Sequence, residues 1–175
     1  MRKLEVIGAV VVIGMLLAGT AAVFAAASAG DFNFGFGVHT DTTAQDTGLP
    51  HNPGAWPHKE KDNDSGAKVW GAFGAFGMKL AVAELDSNDA PGKIADFYRP
   101  ALRRYGPVLD CSPGRPFPPK AAEKSDRLDC SDGDSKPGSL VFKVGVKNNF
   151  RIVAIEPNGH VSKIALVAIE LRGVH

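Results

Sequence analysis

Hydrophobic and polar positions change period along this chain, and each change marks an element. Residues 31–39, DFNFGFGVH, alternate Phe32, Phe34, Phe36 and Val38 with small or polar partners. A period of two is the signature of a half-buried strand. The stretch VWGAFGAFGMKLAVAEL, residues 69–85, predicts two strands around a turn between residues 73 and 77. Glycine beside aromatics in such strands leaves room for a ring to cover backbone, so these glycines read as packing positions. GAFGAFGMK also lacks the G-x-x-x-x-G-K-[ST] spacing of a phosphate loop.

A different period follows. In APGKIADFYRPALRRYG, residues 90–106, the positions Ile94, Phe97, Tyr98, Ala101, Leu102 and Tyr105 advance by threes and fours and fall on one helical stripe. Asp89 is the expected N-cap, Pro91 belongs to the first turn, and Gly106-Pro107 is a stop signal. Pro100 inside the run removes a backbone hydrogen bond and predicts a kink. The two tyrosines read as core edges rather than as catalytic acids. Three strand-like runs close the chain: SLVFKVGV (139–146), FRIVAIE (150–156) and VSKIALVAIEL (161–171), with turns at Asn148-Asn149 and at Pro157-Asn158-Gly159. Turns this short join antiparallel neighbours. The expected fold is therefore α+β, an antiparallel meander with one main helix packed on one face.

The N-terminal segment changes the picture. A basic start at Arg2 and Lys3 is followed by an uncharged stretch from Val6 to Ala29 and by small residues. That is the layout of a secretory signal peptide, with Ala25 and Ala27 suiting cleavage before Ser28, and Ala27 and Ala29 suiting cleavage before Gly30. Left uncut, residues 6–29 are long enough to anchor the chain as a single membrane span. Either way the remainder is expected to be exported, to the periplasm or beyond the cell. The expected organisation is a leader or anchor over 1–27, an N-terminal strand and Pro-rich loop arm over 28–66, and an α+β domain over 67–175. The arm carries Pro50, Pro53, Pro57 and the charge run HKEKDNDSG.

Charge then excludes one class of partner. Without residues 1–27 the chain has 18 basic and 18 acidic side chains, interspersed rather than clustered. Nucleic-acid binders carry a basic surplus against phosphate, so nucleic acid is not an expected partner. Another envelope protein is the expected kind of partner, with membrane contact only through an uncleaved N-terminal segment.

Export decides the two cysteines, Cys111 and Cys130, each ending a Leu-Asp-Cys run. In an oxidising compartment an even pair reads as a disulfide. Closing a loop of about 20 residues contributes roughly 3 kcal/mol in the chain-entropy account. A redox pair wants C-x-x-C spacing, and a structural zinc wants four ligands. Pro113, Pro116, Pro118 and Pro119 force a loop between two short strands that the bridge would hold together.

Several segments together, GLPHNPGA (48–55), SNDAPGKIADFY (87–98), the cysteine pair and AIEPNGHVSKIALV (154–167), resemble a group of uncharacterised exported bacterial envelope proteins of acidobacterial type. Such proteins join a Leu-Pro-x-x-Pro-Gly-Ala segment to a later Asp-x-Pro and Phe-Tyr helix. The resemblance covers most of the chain beyond the leader and implies an envelope or secreted protein with no activity attached. His51-Asn52 stands where that pattern carries a hydrophobic or aromatic pair.

Candidate chemistry is sparse. There is no G-x-S-x-G, and oxidised cysteines offer no thiolate. The acidic turns DNDSG (62–66) and DGD (132–134) are suggestive of calcium loops, yet the twelfth position of a loop starting at Asp62 is Phe73 rather than Glu. His39, His51 and His58 lie near one loop around Trp56 and are candidate metal ligands by residue type alone, without a supporting spacing. No cofactor is implied, and no acid, base and nucleophile set assembles. The sequence therefore reads as a non-catalytic exported domain acting by binding or as a structural module. A periplasmic small-ligand or metal binder is the alternative.

Overall fold

The computed structural model describes residues 34–59, 66–73, 75–116, 125–130 and 136–173. The leader segment, both acidic turns except Gly66, and residues 117–124 of the bridged loop lie outside the described residues. In chain order the elements are β1 (Phe34–His39), a 3-10 turn (Ala44–Thr47), β2 (Trp56–Pro57), β3 (Gly66–Phe73), β4 (Phe76–Ser87), α1 (Pro91–Arg103), β5 (Leu109–Asp110), β6 (Leu140–Val146), β7 (Asn149–Asn158) and β8 (Val161–Arg172).

All strands join one antiparallel sheet in the order β1-β3-β4-β8-β7-β6-β5, and β2 pairs with β4 beyond the end of β3. This is the expected α+β content with one helix, but the simple meander is corrected. Only β5 to β8 run as a meander. After β4 the chain passes through α1 to the far edge, and β8 then returns to pair with β4 over eleven positions, Gly77 to Ser87. Local turn chemistry specifies hairpins; this pairing joins residues some ninety positions apart, which no turn encodes.

Three boundaries differ from expectation. The N-cap of α1 is Ala90, without a side-chain cap, and Asp89 instead holds Lys93 through a 2.8 Å ion pair. Pro at the first helical position accounts for the start without a capping side chain. The β6–β7 turn falls on Lys147 and Asn148, and β7 runs on through Asn158 before turning at Gly159 and His160. Pro100 sits at an exposed position of α1, and the helix continues to Arg103.

The core lies between α1 and one face of the sheet. Ile94, Ala95, Tyr98 and Leu102 are fully buried against Phe142, Val144, Val153, Ile155, Ile164, Leu166, Ala83 and Leu85. Phe97, expected on the buried stripe, is only partly buried at its margin, and Tyr105 is largely exposed just past the helix. The Arg99 guanidinium lies over the Phe142 ring at 5.0 Å. Ala44, Leu49 and Ala55 complete the same cover from the preceding segment. Lys68 of β3 anchors that segment through Asp46 at 2.8 Å, while the Thr43 backbone N–H and hydroxyl donate to the other Asp46 oxygen. These donors, Lys68 first, hold the Asp46 carboxyl down at about 2. At the sheet edge the Trp70 ring packs onto Gly37, where a Cβ would come within 2.3 Å of the indole nitrogen.

Candidate functional site

The bridged segment comes first. Cys111 and Cys130 form a disulfide with their Cα atoms 5.3 Å apart, so both thiols are spent. Its expected flanking strands are half correct. Leu109–Asp110 forms β5 on the free edge of β6, but among the described residues before Cys130 there is only a single bridge, Arg127 to Val146, further along that edge. The Ser112 hydroxyl donates to Asp110 at 2.5 Å and accepts the Val141 amide at 3.1 Å. Lys143, on the face opposite α1, is buried and donates to the Asp129 carbonyl at 3.1 Å. The disulfide thus fastens a flap along the last full strand.

The flap borders an open cavity of about 330 Å³ lined by Val108, Leu109, Leu128, Val144 and Val146, with Arg127 and Lys143 contributing the polar part. Beside it a hollow of about 280 Å³ reaches Tyr105, Asn149 and Arg151. Arg151 is buried there, but its charge is met: the guanidinium pairs with Glu170 at 2.5 Å, donates to Asn149 and to the Phe150 carbonyl, and stacks on the Tyr105 ring. Tyr105 in turn donates to the Gly48 carbonyl at 2.6 Å. This network ties helix, sheet and 3-10 turn together, and its geometry is that of a fastening.

The three histidines meet separate fates. His39 ends edge strand β1 and is exposed; His51 is exposed with its Nε2 3.0 Å from the Ala55 carbonyl. His58 is tucked in beside β4, its Nδ1 2.8 Å from Asp86. The turn Asn52 to Ala55, closed by an Ala55 N–H to Asn52 carbonyl bond of 3.1 Å, and the pairing of Trp56 with Asp86 bring His58 there. No group of three His, Cys, Asp or Glu side chains placed to hold a metal occurs among the described residues. The His58–Asp86 pair spans 28 positions of sequence and carries no local signal. Ser87 projects to the opposite face and its hydroxyl accepts the Asp89 amide, so it does not extend the pair. Tyr98 is sealed in the core, where burial pushes its phenol far above the ordinary range; it has no access to substrate.

What the structure does assemble is a surface. Register places Val69, Leu80, Ile169 and Phe150 in one row across β3, β4, β8 and β7, and Ala67, Val82, Val167 and Ile152 in the next. Both rows face away from α1. At the β1 corner of this face Phe36 is 62% exposed, Val38 55%, Phe76 40% and Met78 39%. Charged groups lie at its other end, where Lys163 meets Glu84 at 3.1 Å and Lys136 meets Glu156 at 2.8 Å, and at the β6 margin, where Lys143 stands beside Ile152. Among the described residues, the elements packed on the sheet, α1 and the 3-10 turn, lie on the other face. Continuous runs such as IVAI, IALVAI and LAVA were the signal for this surface, since apolar residues at consecutive strand positions serve both faces.

No protein-family model matches the chain, no curated protein matches it, and no solved structure matches it. Among the described residues no helix is long and apolar enough to cross a membrane.

Proposed function

We propose that this protein is a non-catalytic, exported domain of a bacterial envelope, in the periplasm or outside the cell, that works by association through the open face of its sheet. The observation that carries this reading is the second apolar face. A contiguous accessible apolar patch on a folded domain marks an interaction site, and here the rows running from Val69 to Phe150 and from Ala67 to Ile152 are apolar and partly accessible, the second ending against Lys143 of β6. The disulfide agrees with an oxidising compartment. The leader-like N-terminus and the resemblance to exported envelope proteins support the same location.

The test is chemical cross-linking in intact cells, with the mature N-terminus read by mass spectrometry. The expected result is a start at Ser28 or Gly30 or an intact anchor, and a cross-linked species above the chain mass. Ile169→Lys should abolish that species, and His51→Ala with His58→Ala should retain it. Loss with the histidine pair and retention with Ile169→Lys would overturn the proposal.

A second reading rests on the cavity behind the disulfide flap. At about 330 Å³ it lies at the lower end of ligand-pocket volumes, and its aliphatic lining with Arg127 and Lys143 suits a small apolar molecule bearing one acidic group. Saturable quenching of added acyl-chain probes, abolished by Leu128→Trp, would favour this reading.

A further inference from the structure

We infer that the open sheet face is a homodimer interface, in which a second copy of this chain packs its own sheet face to face; this rests on the association reading above and names its partner. Size is the first reason. Six strands about 4.8 Å apart, over eight to ten residues rising about 3.3 Å each, make a footprint on the order of 700 Å². Stable interfaces bury about 800 Å² per partner. Shape is the second. Twisted sheets pack face to face at about 30° with interdigitated side chains, and two identical copies carry identical twist, so a two-fold arrangement is self-complementary without distortion.

Charge is the third reason, and it selects the occupant. The polar groups bordering the face are matched within one copy: Lys163 with Glu84, His58 with Asp86, Lys136 with Glu156, and Lys143 with the Asp129 carbonyl. The chain carries a formal net charge of only +1. Such a face neither repels its own copy nor steers toward a strongly charged partner. A lipid surface is the weaker fit, because interfacial binding draws on a basic surplus around the apolar area, and here Lys163 and Lys136 each have an acid beside them and Lys143 is buried.

The experiment uses the full chain, expressed with export so that the disulfide forms. In sedimentation velocity from about 1 to about 100 µM, a range that brackets micromolar association, the expected species has twice the chain mass of 18.4 kDa, or twice that of the processed chain. Ile169→Lys should raise the dissociation constant about tenfold or more, as for a central interface position; Arg103→Glu, on the exposed side of α1, should leave it unchanged. Near-UV circular dichroism checks that each variant is folded. A second measurement does not depend on the variants: p-benzoyl-phenylalanine at position 36, in a mixture of ¹⁴N and ¹⁵N chains, should give mixed-isotope cross-links to β4, β7 or β8. A monomer throughout the concentration range overturns the inference. So do cross-links confined to residues 1–33 of the same chain, and a monomer that floats with anionic vesicles. A cross-linked species containing a different protein overturns the homodimer while leaving the proposed function standing.

Discussion

On one side of the sheet Val153, Ile155, Ile164 and Leu166 are fully shielded, whereas their immediate chain neighbours Ile152, Ala154, Ala165 and Val167 on the other side stay partly accessible. The residue types are nearly the same. The difference is that α1 and the segment around Leu49 cover the first set, and among the described residues nothing comparable covers the second. An antiparallel sheet with one solvated face normally alternates apolar and polar positions. Here both sets are apolar through the middle of β7 and β8, so the open face has the composition of an interior.

Mutations on the two faces turn this contrast into numbers. Phe142→Ala, on the covered face and beneath Arg99, should cost about 3 to 5 kcal/mol in a urea titration. The value expected for Phe97→Ala is smaller, because that ring sits at the margin of the core. Replacing Cys111 and Cys130 together by Ser should cost roughly 3 kcal/mol through the unfolded chain, while the spectrum of the helix-covered core persists. Loss of the whole near-ultraviolet signal would mean that the flap, and not α1, holds the fold.

The sharpest contrast uses neighbours. Leu166→Ala should cost at least 2 kcal/mol, about the lower end for a buried leucine, and Val167→Ala about 1 kcal/mol for a partly buried methyl pair, both measured on dilute protein. Equal costs for the two would show that the open face is covered in the monomer. A Val167→Ala cost that grows with protein concentration would place the cover in a second copy.

A smaller effect comes from acid. Asp46 is held at about 2 by Lys68 and Thr43, below its ordinary value of 3.8. The unfolded chain therefore takes up a proton there before the folded one does. The contribution is complete above about pH 4 and is lost as pH falls toward 2. For a pair this accessible it should amount to about 1 kcal/mol at most, and Asp46→Asn should remove that part of the acid slope in urea titrations between those pH values. Smallest of all, Arg103→Ala on the exposed side of α1 should stay within about 0.5 kcal/mol.

Local elements were legible because their signals are local. The period-two runs became β1, β3 and β4, the stripe from Ile94 to Leu102 became α1, and the three closing runs became β6, β7 and β8 within one or two residues. Cysteine parity and context were enough for the disulfide. The pairing of β8 with β4 was not legible, since it follows from α1 carrying the chain across the sheet and not from any turn. Nor was the union of His58 with Asp86, which depends on β2 continuing the edge of β4 beyond β3.

The sequence by itself determined which segments are strands, which is the helix and which cysteines close the flap, because periodicity, proline and glycine act over a few residues and need no partner. It also carried the apolar character of both faces, written into consecutive positions of β4, β7 and β8. Only the tertiary structure decided which face α1 covers. Burial is shared between segments far apart in the chain, and α1, with only 13 residues, is long enough for one face, while among the described residues the other keeps its interior composition turned outward.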